Sequence, residues 1–188
     1  LGRLVNFNLQ KMRQDTINRI VEMEEPVFGN GESKVVLHES VRDADLYYMS
    51  DVNNWGCTYN MFGIENHMSP QDHFHNIVST VSAVRGHASK LTVIEPLLYS
   101  SRQHRRKGRE SLNCAIALQE LVKMNVDCIM TIDCHDPNVQ NAIPFTPFEN
   151  LYPSHYILEE FLKNEDIDYR KVMAISPDYG AISRTTYY

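Results

Sequence analysis

Asp133 and His135 stand two residues apart at the end of the run Val126-Asp127-Cys128-Ile129-Met130-Thr131-Ile132. The run is short, apolar and rich in β-branched residues, which predicts a buried strand. Strand side chains i and i+2 point to the same side, so a carboxylate and an imidazole are expected to project together from its carboxyl end. In parallel α/β sheets that edge is where ligands bind. Such a pair suits a divalent cation, held directly or through water. Imidazole is a soft partner for magnesium, so a phosphate contact by His135 stands beside that reading. The ordinary alternative is that Asp133 caps the loop and His135 makes a routine hydrogen bond.

Three other stretches could do chemistry. Ser101-Arg102-Gln103-His104-Arg105-Arg106-Lys107-Gly108-Arg109 packs five cations into a glycine-containing loop. Guanidinium forks suit phosphate oxygens, and a loop of this kind can close over a nucleotide; alone, such a run is usually a solvated surface. Ser176-Pro177-Asp178 puts another acid ahead of a helical start whose amides could help to hold an anion, or whose first turn Asp178 simply caps. Phe28-Gly29-Asn30-Gly31-Glu32 is a turn through Asn-Gly, and a ligand role cannot be read from it unaided. Nucleophilic catalysis lacks support: there is no G-x-S-x-G and no Walker A motif.

The elements that must position these residues read as follows. Spacing predicts a helix over about 8–22 stopped by Pro26, strands at Lys34–Leu37 and Asp45–Met49, and a long loop from Ser50 to His67. Ser69-Pro70-Gln71-Asp72 opens a helix that closes at Arg85-Gly86. A strand at Leu91–Leu98, a helix at Glu110–Met124, the Val126–Ile132 strand and a loop to Asn150 follow. Then come a helix over Pro153–Leu162, a strand at Lys171–Ile175 and a last helix opened by 176–180 that reaches Tyr187-Tyr188. Strand and helix alternate from residue 69 onward. That order predicts an α/β fold, with a mostly parallel sheet covered by helices on both faces in Rossmann-type layers.

The 188 residues suit one domain plus the beginning of another, divided as 1–152 and 153–188. A 43% hydrophobic share with mean hydropathy of −0.38 is that of a globular chain with a core. No apolar run approaches a membrane span, no signal peptide opens the chain, and the four cysteines form no C-x-x-C pair; a cytoplasmic protein is expected. Net charge of −6 argues against nucleic acid as a partner while leaving room for one local anion site. The chain opens at Leu1 without methionine and closes within a helical start, so a fragment is expected.

At these same residues the sequence resembles the phosphoribosyl pyrophosphate synthetases, or ribose-phosphate diphosphokinases. Phe28-Gly29-Asn30-Gly31-Glu32 is similar to that family's F-x-D-G-E turn, and Glu39 to Asp45 to its E-x-V-R-G-x-D. Ser101-Arg102-Gln103 falls where the family has A-R-Q-D before basic residues. Asp133-Cys134-His135 resembles its D-L-H, Glu149-Asn150-Leu151-Tyr152 its D-N-L-Y, and Ser176-Pro177-Asp178-Tyr179-Gly180 its S-P-D-x-G. Six matches in order are more specific than any one.

The resemblance implies a phosphoribosyltransferase-like fold and transfer of diphosphate from ATP to ribose 5-phosphate with Mg2+, giving AMP. It implies that Arg102 and Gln103 bind ATP, and that Asn30, Gly31 and Glu32 do so across the interface of a homo-oligomer. His135 and Asp178 would stand at the magnesium site, supported by Asp133. The catalytic Lys/Arg loop and the ribose-phosphate loop would lie beyond Tyr188, leaving these 188 residues inactive by themselves. Asn30 and His104 stand where the family has aspartates, and 141–147 lacks its acidic residue. The stretch 50–67 resembles an insertion. These departures keep a non-catalytic regulatory or nucleotide-binding homologue in view; a phosphoribosyltransferase and a nucleic-acid binder fit less well.

Overall fold

The computed structural model of the chain describes residues 1–165 and 168–186, so the helical end expected at Tyr187-Tyr188 lies outside the described residues. Two units are distinguished, Leu1–Leu151 and Tyr152–Tyr188.

The first unit begins with a helix displaced from its expected place. α1 runs Gly2–Arg13 and ends at Gln14 in a left-handed conformation, not over 8–22. Beyond it, short polar side chains compete for the backbone. Asp15 Oδ1 accepts from Ile17 N, Asn18 Oδ1 from Ile20 N and Asn6 Oδ1 from Arg19 N, and 15–20 are irregular. A ribbon of β1 (Met23–Glu24) and β2 (Val36–Leu37) follows, antiparallel, so the expected strand at Lys34–Leu37 is half as long.

β3 (Asp45–Met49) occupies the residues expected of it. The stretch 50–67 is not one loop. It contains an antiparallel hairpin, β4 (Thr58–Met61) and β5 (Ile64–His67), turned by Phe62 at φ 51° and Gly63 at φ 80°. Two left-handed residues are what a tight hairpin turn requires. Phenylalanine at the first of them hid the signal. α2 (Pro70–Val84) then starts where Ser69-Pro70 predicts. The Ser69 side chain accepts from Asp72 N while Asp72 accepts from Ser69 N at 2.7 Å, a reciprocal cap that pairs two otherwise orphaned N–H groups.

β6 (Lys90–Glu95), α3 (Asn113–Lys123), β7 (Cys128–Ile132), a 3-10 turn at Pro137–Ala142 and β8 (Phe148–Leu151) complete the unit. β8 corrects the reading of a loop as far as Asn150. β6 stops three residues short of the expected Leu98, at Pro96, which has no N–H to continue a ladder. The four long strands form one parallel sheet in the order β3-β6-β7-β8, the mixed α/β fold the alternation predicts.

Register aligns Leu46 with Leu91, Tyr48 with Val93, Val93 with Ile129 and Ile129 with Phe148. This face joins Ile77, Val81 and Val84 of α2 and Cys114, Leu118 and Leu121 of α3 in one apolar cluster. Ile77, Val81, Val93 and Ile129 are 0% exposed, each side chain worth on the order of 1.5–3 kcal/mol. On the opposite face the Gly2 backbone of α1 lies against Met49, where a Cβ would sit 3.9 Å from its Cε.

The second unit has α4 (Ser154–Asn164), short 3-10 turns at Tyr169–Lys171 and Tyr179–Ala181, and α5 (Ile182–Thr185). The strand expected at Lys171–Ile175 does not form. Val172, Met173 and Ile175 are exposed, and among the described residues of this unit no other strand offers a ladder.

Candidate functional site

All four strands of the parallel sheet end at one edge, and the segments leaving β6 and β7 carry Arg102, Gln103, Asp133 and His135. β7 stops at Ile132, and Asp133 turns into the left-handed region at φ 45°. Strand alternation therefore ends at Ile132, before Asp133 and His135. Asp133 N donates to Leu151 O at 2.8 Å and Cys134 N to Asn150 Oδ1 at 3.0 Å. Both bonds pin the loop to β8. Cys134 turns inward at 4% exposure, with Asp133 half-buried and His135 exposed on either side of it.

The cationic loop meets this segment. His104 Nε2 lies 3.4 Å from Asp136 Oδ2, and Arg105 Nη2 lies 3.0 Å from the same oxygen. The His104 ring packs edge-on to His135 with centroids 5.1 Å apart, and its Nδ1 is 3.1 Å from Ser101 O. Asp136 also caps the Pro137–Ala142 turn through Asn138 N at 2.9 Å. That backbone N–H, with the Arg105 guanidinium and the Asn138 side chain, holds the Asp136 carboxyl below its ordinary value against the opposing effect of burial. Neither His104 nor Asp136 was singled out from sequence as a working pair. The only signal was that both sit inside motif loops.

Glu95 was also missed. It lies in the apolar strand run at 1% exposure and accepts the Tyr99 N–H at 2.7 Å. Burial pushes its carboxyl up to about 7. The same effect pushes the nearby Cys114 thiol up to about 12. A charged residue inside a buried run was the available signal. Tyr99 in turn stacks on Phe74 of α2 at 4.4 Å, which ties the start of the cationic loop to the helix.

Arg102 and Gln103 are exposed and line a cleft of about 300 Å³ with Tyr99, Pro70 and Gln71. Gly31 and Glu32 line a different cleft, of about 380 Å³, with Phe28, Tyr59, Asp72 and His75. The clefts share no lining residue, and each takes part of its wall from the start of α2, Asp72 in one and Pro70 and Gln71 in the other. The turn itself is closed by Gly31 N to Phe28 O at 2.8 Å and Phe28 N to Glu32 O at 2.7 Å. Asn30 Oδ1 accepts from Glu32 N at 3.1 Å, so Asn30 helps to shape the turn.

Asp178 belongs to the second unit. It is exposed and caps the Tyr179–Ala181 turn, accepting from Ala181 N at 2.9 Å. Among the described residues of the chain, no three His, Cys, Asp or Glu side chains stand close enough to hold a metal ion. Asp133 and His135 offer one hard and one soft donor. That set fits a cation which keeps its waters and arrives on phosphate oxygens. No helix among the described residues is long and apolar enough to cross a membrane.

Residues 9–124 match the family described as the N-terminal domain of ribose phosphate pyrophosphokinase. Ribose-phosphate pyrophosphokinase 1 of Schizosaccharomyces pombe is 30% identical over 162 residues, covering 85% of this chain and 36% of that protein. Ribose-phosphate pyrophosphokinase B of Dictyostelium discoideum is 25% identical over 161 residues, covering 84% and 45%. The chain thus spans less than half the length of these relatives. The crystal structure of phosphoribosylpyrophosphate synthetase from Mycobacterium smegmatis superposes with a TM-score of 0.72 at 20% identity, over 96% of this chain and 55% of that one, a likeness of fold. With more than half of its residues matched by the family model, the chain belongs to the ribose phosphate pyrophosphokinase family, of which it carries the N-terminal domain.

Proposed function

We propose that the protein is a ribose-phosphate diphosphokinase, transferring diphosphate from ATP to ribose 5-phosphate for nucleotide biosynthesis. The observation that carries this reading is the meeting of two motif loops at the carboxyl edge of the sheet, joined through His104, Arg105 and Asp136. Diphosphoryl transfer asks mainly for positioning and charge neutralisation. Arg102 and Gln103 bind the nucleotide, the guanidinium pairing with phosphate oxygens. His135 and Asp133 serve the magnesium site. Magnesium, when bound, neutralises charge on those oxygens.

Asn30, Gly31 and Glu32 contact ATP from another copy of the chain. Support comes from the two clefts having no lining residue in common. A homo-oligomer brings one copy's turn to another copy's cationic loop. A cytoplasmic setting goes with four cysteines that form no disulfide.

The test is direct. The full-length gene product, given Mg-ATP and ribose 5-phosphate, yields AMP. A preparation that binds ATP yet forms no AMP supports instead a non-catalytic nucleotide-binding homologue. That second reading is favoured by one observation, the use of Asn30 to brace its own turn.

A further inference from the structure

The backbone of His135 is held on both sides. Before it, Asp133 N donates to Leu151 O and Cys134 N to Asn150 Oδ1. After it, Val139 N donates to Asp136 O at 3.2 Å. These bonds place the Cα of His135 and leave its two side-chain torsions to be chosen. The residue is exposed, and among the described residues the one ring it meets is that of His104, edge-on at 5.1 Å with the planes 61° apart.

His104 is anchored through both ring nitrogens. Nδ1 faces Ser101 O at 3.1 Å and Nε2 faces Asp136 Oδ2 at 3.4 Å, so the plane of the ring is set. The backbone leading to it is tied down as well. Ser101 N donates to Leu98 O at 3.2 Å, Gln103 N to Ser100 O at 2.8 Å and Cys114 N of α3 to Gln103 O at 3.3 Å. The side chains of His104 and Asp136 are 12% and 11% exposed, against 72% for Arg105. The inner contact between the two loops is therefore histidine to aspartate, and Arg105 reaches the same oxygen from the solvent side.

We infer that His104, anchored by Asp136, is a positioning residue for His135 and selects the orientation in which that imidazole meets a magnesium-bound phosphate. A ring fixed ahead of binding spares the ordering cost that a free one meets when the ligand arrives. One edge-to-face contact accounts for about a three- to tenfold gain in affinity. The inference rests on His135 serving the magnesium site and adds the residue that aims it. The family resemblance does not supply this role, because His104 stands where the family has an aspartate.

The experiment titrates ATP into the full-length gene product by calorimetry, once with saturating Mg2+ and once with a chelator. His104→Ala is expected to weaken Mg-ATP by about three- to tenfold and metal-free ATP by less than about twofold. In a His135→Ala background the same change costs less than about twofold, because no ring is left to aim. His104→Phe keeps a ring against His135 without its polar anchors and falls between the wild type and His104→Ala. Should His104→Ala fail to fold, His104→Phe with and without His135 makes the same comparison. An equal loss with and without Mg2+, or a loss that persists undiminished in the His135→Ala background, overturns the inference, since His104 would then only shape its own loop. If His135→Ala by itself leaves Mg-ATP binding unchanged, the magnesium-site reading fails and the inference with it. If His135→Ala is damaging and His104→Ala is not, the inference fails alone.

Discussion

Glu95 and Tyr99 are joined inside the carboxyl edge of the sheet. The Tyr99 N–H donates to Glu95 Oε2 at 2.7 Å, and the glutamate is 1% exposed. A buried carboxyl thus anchors the backbone just before Ser100-Ser101-Arg102-Gln103. Its position is raised from 4.5 to about 7, chiefly by burial, with the Tyr99 N–H opposing.

The folded chain therefore binds the Glu95 proton more tightly than the unfolded chain does. Its contribution to stability is fully present below the unfolded value. It is lost as pH rises through the folded one, by on the order of 3 kcal/mol across the window. Glu95→Gln keeps an acceptor for Tyr99 and removes the ionisation. Melting temperature followed from about pH 5 to 8 should fall more steeply for the wild type than for Glu95→Gln. Parallel profiles would show that this carboxyl does not ionise in the window.

Asp136 ties Arg105 and His104 to the segment after β7. Its lowered carboxyl stabilises the fold above the ordinary value and loses that contribution as pH falls through the folded one. Asp136→Asn keeps a cap on Asn138 N and releases the ion pairing. Limited trypsin digestion should then cut the Arg105–Arg109 stretch about three- to tenfold faster, with little change in melting temperature, since local opening tracks local contacts. An unaltered cleavage rate would mean that the pairing does not restrain the loop.

Ser69 supplies half of the reciprocal cap on α2. Ser69→Ala should cost about 1 kcal/mol, measured by urea unfolding. Both clefts abut this first turn, so nucleotide affinity should drop with it. A full loss of stability without any change in affinity would separate the turn from the clefts.

Arg102→Ala and His135→Ala should each weaken Mg-ATP binding by about tenfold in isothermal titration, the order expected for one charge-assisted contact. Unchanged affinity in both would refute the site as drawn.

Local chemistry was legible wherever a short stretch decides its own geometry. Ser69-Pro70-Gln71-Asp72 specifies the start of α2, because a capping side chain and a proline act within one turn. Asp45–Met49 reads as a strand from its aromatic and apolar content and is one. The family motifs, too, are linear. The failures share a cause. The helix expected at 8–22 gives way beyond Arg13, where Asn and Asp side chains take backbone N–H groups. The Lys171–Ile175 stretch is apolar enough for a strand and lacks a ladder.

By itself, then, the sequence determined the alternation of elements, the capped helix, the motif loops and the family they indicate, all properties of neighbouring residues. Tertiary structure alone decided that His104 and Arg105 share the Asp136 carboxylate, that Glu95 is sealed under Tyr99, and that a hairpin turned at Phe62-Gly63 walls the cleft of Gly31 and Glu32. The His104–Asp136 and Tyr59–Glu32 juxtapositions span many intervening residues. Their proximity depends on where the sheet edge and the first turn of α2 place the loops, which no local periodicity encodes.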